Sequence, residues 1–145
     1  MRIALGSDEV TELTHALVEA LRDGGHEVEL HGPLAGGDEE WVEASAAAAR
    51  RVAEGACDRA VVCCWSGTGA SIAANKVPGA RAALCIDAET ARMARKYNHA
   101  NVLALSLRLT SPPMGREILL AFLAEPDGDE DFDRRNVDRL GAMEG

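Results

Sequence analysis

Aromatic side chains are scarce in this chain of 145 residues: two Trp, one Tyr and two Phe, or 3%. A core without them must rest on Ala, Val, Leu and Ile. No run approaches the ~20 apolar residues of a membrane span, and the opening MRIALGSDE turns polar too soon for a secretory leader. Basic stripes are missing as well. A formal net charge of −9 argues against nucleic acid and anionic membrane surfaces as partners, and its simplest role is solubility. Four cysteines (57, 63, 64 and 85) include no CxxC and no CxxC–HxxxH set, so neither a metal nor a cofactor is expected. Cys63 and Cys64 would point to opposite faces of one strand, which disfavours a bridge between them. Reduced thiols imply a cytoplasmic protein.

What is present is alternation. RIALG (2–6), HEVEL (26–30), RAVVCC (59–64), RAALCI (81–86) and NVLALS (101–106) read as strands. Between them lie helical patterns over about 10–22, 39–54, 68–75, 88–96 and 112–124, with a last helix near 131–141. Asp87 is placed to cap the fourth helix, and Pro112 and Pro113 suit the first turn of the fifth. Residues 1–145 are expected to form one domain. Its fold class is α/β: a three-layer, Rossmann-like, five-stranded parallel sheet with helices on both faces and a C-terminal helix. Ligands of such sheets sit beyond the carboxyl ends of the strands, here Ser7-Asp8-Glu9, Cys64-Trp65-Ser66, Asp87 and Ser106-Leu107-Arg108.

One stretch, VVCCWSGTGASIAANK (61–76), carries the chemistry. SGTG opening a helix after a strand turns backbone amides toward a common point, where the helix dipole adds positive partial charge. That nest suits a phosphate or an oxyanion formed during a reaction. It is neither GxxxxGK[ST] nor GxGxxG, so a nucleotide motif is excluded. Cys64 at the strand's end sits where a thiolate becomes available and can take a proton from a carbon beside a carbonyl. An inert buried thiol is the competing reading.

SGTGASIAANKVPGARAALCID, with IALGSD before it and YNHANVLAL after it, closely resembles the ribose-5-phosphate isomerase B and galactose-6-phosphate isomerase family over about residues 1–125. The resemblance implies metal-free interconversion of aldose and ketose phosphates by a homodimer or homotetramer with active sites between subunits. It assigns the proton-transferring base to Cys64 and the neighbouring hydroxyl to Ser66. The anion-holding loop falls on Gly67, Thr68, Gly69 and Ala70, with Ser71 following. Asp8 would contact the sugar, Asn98 would help hold the enediolate, and Arg108 takes the arginine after the fifth strand. Where one branch of the family replaces the cysteine by a loop glutamate, this chain has Ala70, so its base would be Cys64.

Departures from the family pattern bear on the substrate. SDHAG becomes SDEVT, which puts Glu9 at a phosphate-binding histidine. The histidine that assists ring opening becomes Tyr97, with His99 two residues on as a candidate substitute. Two phosphate-gripping arginines near the C-terminus become Phe132 and Asn136, and Arg134 and Arg135 compensate only if the register slips. Each lost charge-assisted contact costs about 1.5–3 kcal/mol. Trp65 follows Cys64 where the family has glycine, and Trp41 replaces a tyrosine near the same crevice. Their faces suit a sugar's C–H face, a flat ring or a cation, or a subunit interface.

The leading expectation is an aldose–ketose isomerase acting on a sugar phosphate or on an unphosphorylated or otherwise modified sugar. A partner-dependent or non-catalytic sugar-binding subunit is the alternative, and an epimerase would share the same enediolate. Cys57, Cys63 and Cys85 are expected to fill the core, with His15, His26 and His31 on the surface.

Overall fold

The computed structural model describes residues 1–145. Five parallel strands, β1 (Arg2–Ser7), β2 (Glu27–His31), β3 (Arg59–Cys64), β4 (Ala82–Leu84) and β5 (Val102–Ser106), form one sheet in the order β2-β1-β3-β5-β4. The helices are α1 (Glu12–Asp23), α2 (Trp41–Ala53), α3 (Thr68–Asn75), α4 (Ala88–Asn98), α5 (Pro112–Ala124) and α6 (Asp131–Ala142). The expected three-layer architecture is therefore present, C-terminal helix included. Residues Gly32–Ala35 add a 3-10 turn in the Gly/Pro loop.

Alternation along the strands divides the core in two. Ile3, Leu5, Val61, Cys63, Leu103 and Leu105 face one side with α1, α4 and α5 residues such as Leu17, Ala91 and Phe122. Ala4, Ala60, Val62, Cys64, Val102 and Ala104 face the other, against Ala46, Ala48, Ala49, Ala70 and Ala74 of α2 and α3. Small residues dominate the second layer, and the 46–49 alanine run packs inside the chain. Cys63 and Cys64 thus belong to opposite layers, and all four cysteines are free and buried.

Local chemistry moves several boundaries. The first helix starts at Glu12, because Thr11 Oγ1 accepts from the Thr14 amide at 3.2 Å while Thr14 Oγ1 accepts from the Thr11 amide at 2.9 Å. Asp87 caps α4 through Thr90 N at 2.7 Å, and Ser111 caps α5 ahead of its two prolines. The fourth strand is three residues long, shorter than the pattern RAALCI suggests. It lies at a sheet edge, where the Asn75 amide donates to Ala82 O at 3.0 Å and accepts from Ala82 N at 2.8 Å. A side chain takes the place of a further strand there, which blunts the edge.

Candidate active site

Topology gathers the site. In the order β2-β1-β3-β5-β4, β3 is central, with Ser7 of β1 paired to Cys63 and Ser106 of β5 paired to Cys64. The segments leaving these strands open a cleft of about 420 Å³ at the carboxyl end of the sheet. Asp8, Trp41, Cys64, Trp65, Ser66, Thr68 and Gly69 line it, as the sequence suggested. Ile72 joins them and was not anticipated. Its signal was legible, since position 72 follows Thr68 by four and shares its helix face.

Cys64 is 5% exposed. Its Sγ accepts a hydrogen bond from the Ala70 amide at 3.3 Å. That amide is one of the orphan donors of the first turn of α3, and no conventional cap satisfies it. The thiol therefore sits at the end of the helix where the dipole favours negative charge. Ser71 N bonds Gly67 O at 3.0 Å, within the helical ladder. Of the expected anion loop, the amides of Thr68 and Gly69 are left without intrahelical acceptors. Ser66 and Thr68 share a hydroxyl hydrogen bond of 2.7 Å at the cleft mouth.

Gly67 is required by this geometry. Its φ of +78° is left-handed, and a Cβ would meet Leu84 Cδ1 at 2.6 Å and the Leu105 backbone carbon at 3.0 Å. The turn's outer edge is tied to β5: Trp65 O accepts from Ser106 Oγ and from Arg108 N, each at 3.0 Å. The Trp65 side chain is left 60% exposed. Arg108 is exposed just outside the cleft, and its guanidinium forms no ion pair within the chain.

Asp8 reaches the cleft half-buried, and its Oδ1 is buried without a hydrogen-bond partner. Glu9 turns instead into an adjoining hollow shared with Asp8 and Trp41. The other thiols are set apart from this chemistry. Complete burial pushes Cys63 up to about 12, with the charges of Cys64 and Asp8 adding to the effect, and burial pushes Cys85 up to about 11. Both behave as core fillers.

Tyr97, Asn98 and His99 are not brought to this cleft. They end α4 and lead into the start of β5, whereas Ser106 beside Cys64 ends it. Five residues of strand separate the two ends by roughly 17 Å. His99 is a left-handed C-cap (φ +47°) whose Nε2 pairs with Gly128 O at 2.8 Å, so within one chain it fastens a turn. Tyr97 is 46% exposed. Asn98 lines a separate cavity of about 460 Å³ with Arg81, Leu140 and Met143. These three residues could serve Cys64 only in another copy of the chain.

The family model described as Ribose/Galactose Isomerase matches residues 3–140. The chain belongs to the ribose/galactose isomerase family. It is 34% identical to ribose-5-phosphate isomerase B of Mycobacterium tuberculosis over 146 residues, covering 99% of this chain and 90% of that protein. It is 37% identical to galactose-6-phosphate isomerase subunit LacB of Clostridium acetobutylicum, covering 85% and 72%. The structure of Trypanosoma brucei type B ribose 5-phosphate isomerase superposes with a TM-score of 0.90 at 39% identity, covering 98% and 97% of the two chains. These relatives of the family are isomerases of sugar phosphates. No helix of this chain is long and apolar enough to cross a membrane.

Proposed function

We propose that the chain is an aldose–ketose isomerase in which Cys64 carries the proton. The observation that bears most weight is the Cys64 sulfur at a helix N-terminus, held by the Ala70 amide and opening onto a cleft that Asp8 shares. In the forward direction the thiolate takes the proton from C2 of the open-chain aldose. The C2–H electron pair forms the C1–C2 double bond, and the carbonyl pair moves to O1, giving an enediolate. The Thr68 and Gly69 amides face that developing charge, and the Ser66–Thr68 hydroxyl pair adds a donor. The Cys64 thiol then returns its proton to C1, the C1–C2 double-bond pair forming that C–H bond. The O2 proton passes to O1, the O2–H pair forms the C2 carbonyl, and a ketose results.

Asp8, which lines the cleft, accepts a hydrogen bond from a substrate hydroxyl. Asn98, with Tyr97 or His99 as the ring-opening aid, comes from a second copy, making the working unit a homodimer or a tetramer. Glu9, Phe132 and Asn136 supply no positive charge. The reading therefore favours a sugar without a terminal phosphate, or with one held differently from the relatives' substrates.

Solvent proton exchange tests it. In D2O the protein should place deuterium on the carbon beside the carbonyl of its substrate, and Cys64→Ala should abolish this. Exchange unaffected by Cys64→Ala would refute the assignment. The separation of Asn98 and His99 from Cys64 also favours a second reading, a subunit active only with a related chain. Activity that appears only on adding such a chain would select it.

A further inference from the structure

The corner where α4 turns toward β5 is held from three sides. His99 is the chain's sole non-glycine residue with a left-handed backbone (φ +47°), a conformation that persists where the surroundings impose it. Arg81 Nε donates to the His99 carbonyl at 2.9 Å, and Arg95 Nη1 donates to the next carbonyl, that of Ala100, at 2.6 Å. The His99 ring closes the third side. Its partner at 2.8 Å is the Gly128 carbonyl, which can only accept, so the ring proton is on Nε2. Gly128 N donates in turn to Lys96 O at 2.9 Å, and a Cβ on Gly128 would collide with that same oxygen.

Both arginines are themselves anchored. The main chain of Arg81 donates to Asn101 Oδ1 at 2.7 Å and accepts from the Asn101 and Val102 amides at 3.0 and 3.1 Å. Arg95 is 2% exposed, donates also to the Glu125 carbonyl, pairs with Asp127 and lies over the Phe122 ring. Burial, and then the charge of Arg59, lower the pKa of this guanidinium, so its enclosure is unfavourable in itself. Amid these ties one side chain is left free. Asn98, just before His99, makes no hydrogen bond through its carboxamide, and it is exposed in the cavity it shares with Arg81.

We infer that Arg81 and Arg95 are positioning residues for the isomerisation: by clamping consecutive carbonyls they fix the backbone that aims Asn98 into the Cys64 cleft of a neighbouring copy. The inference rests on the isomerase reading, which takes Asn98 from a second copy. A carboxamide that meets an oxyanion formed only during the reaction contributes most when its frame cannot turn away. Neither arginine needs to touch the sugar, since each acts through the peptides that follow Asn98.

The side-chain amide of Asn98 reports its order without substrate. In isotopically labelled protein its magnetic resonance signals, assigned by their loss in Asn98→Ala, should form one sharp pair. They should broaden or split in Arg81→Ala and recover in Arg81→Lys, whose ammonium still reaches the His99 carbonyl. Signals unchanged in Arg81→Ala overturn the inference.

Kinetics test the consequence, with D-ribose and D-ribose 5-phosphate as probes and proton exchange in D2O as the readout. Arg81→Ala and Arg95→Lys should each lower kcat by about 10–100-fold, while KM moves less than about threefold. In an Asn98→Ala background the further loss should be under about twofold, and a full loss there overturns the inference. Co-expression locates the effect. Arg81→Ala with Cys64→Ala should recover about a quarter of parental activity, the share of intact sites that random pairing across a two-fold axis leaves. Arg81→Ala with Asn98→Ala should recover none. A chain damaged only in its folding recovers with neither partner, and that result, or recovery with Asn98→Ala, overturns the inference. If Cys64→Ala and Asn98→Ala fail to complement each other, the shared-site reading falls and takes this inference with it. If they do complement and Arg81→Ala departs from the Asn98→Ala pattern, this inference alone falls. A parent inactive on both probes is judged by the amide signals, which decide as stated.

Discussion

The ring of Trp41 lies on the α-carbon of Gly69, so close that a Cβ there would come within 2.8 Å of Cε3. The first residue of α2 thereby roofs the first turn of α3 and sets one wall of the cleft. Gly69→Ala should push the half-exposed indole aside at a stability cost below about 1 kcal/mol, while reducing substrate affinity. Gly69→Ala combined with Trp41→Ala should show coupling of at least about 0.5 kcal/mol in binding. Additive effects in a double-mutant cycle would show that the ring does not shape the site.

Cys64→Ala removes the base without opening a large cavity, since the side chains differ by one sulfur. Isomerisation should fall by about 10²–10⁴-fold, with circular dichroism and thermal midpoint near those of the parent. Cys63→Ala, in the opposite layer, should leave proton exchange in place. A variant lacking the Cys64 sulfur that still turns over at parental rate would remove the base from the mechanism.

Gly67 couples site and fold. Gly67→Ala combines a left-handed backbone with overlap on Leu84 and β5, so a loss of about 2–5 kcal/mol is expected from the two penalties together. Denaturant midpoints measure it. A loss under about 1 kcal/mol would mean that the turn relaxes freely.

The acid limb of stability has an identifiable contributor. Hydrogen bonds from Arg51, at 2.7 and 3.0 Å, hold the Glu29 carboxyl below its ordinary range against an opposing effect of burial, and His31 at 2.8 Å lowers it further. A carboxylate depressed in the folded state stabilises above its unfolded value, and that contribution is lost as pH falls through the folded one. Glu29→Gln should therefore lower stability at neutral pH and flatten its decline below about pH 4.5. Parallel acid titrations of parent and variant, followed by thermal midpoint, would contradict this if the two curves keep a constant offset.

Much of the fold was legible because its signals are local. Strand alternation separates Cys63 from Cys64, Asp87 and Ser111 cap helices as their positions suggest, and a glycine turn opens α3. The misplaced boundaries have two causes: the Thr11–Thr14 box, a local cap masked by an apolar period that runs back to Val10, and the Asn75 side chain, which substitutes for a neighbour of β4 from outside that strand's own pattern. Arg95 gave no pattern signal at all. It is 2% exposed and bonds the Ala100 carbonyl at 2.6 Å, the Glu125 carbonyl at 3.1 Å and Asp127 at 2.7 Å. Its role emerges only when α4 meets the turn after α5.

The candidate site divides in the same way. The amino-acid order alone set Cys64 at a strand tip beside helix-opening amides, because those residues are six positions apart and bond within one turn. Tertiary structure decided that Asp8 and Trp41 close over them, that Glu39 and Glu40 extend the cleft as an acidic hollow, and that Asn98 and His99 face away. Residues far apart in sequence meet only through strand order and helix packing, which are fixed by burial summed over the whole chain and by no short motif.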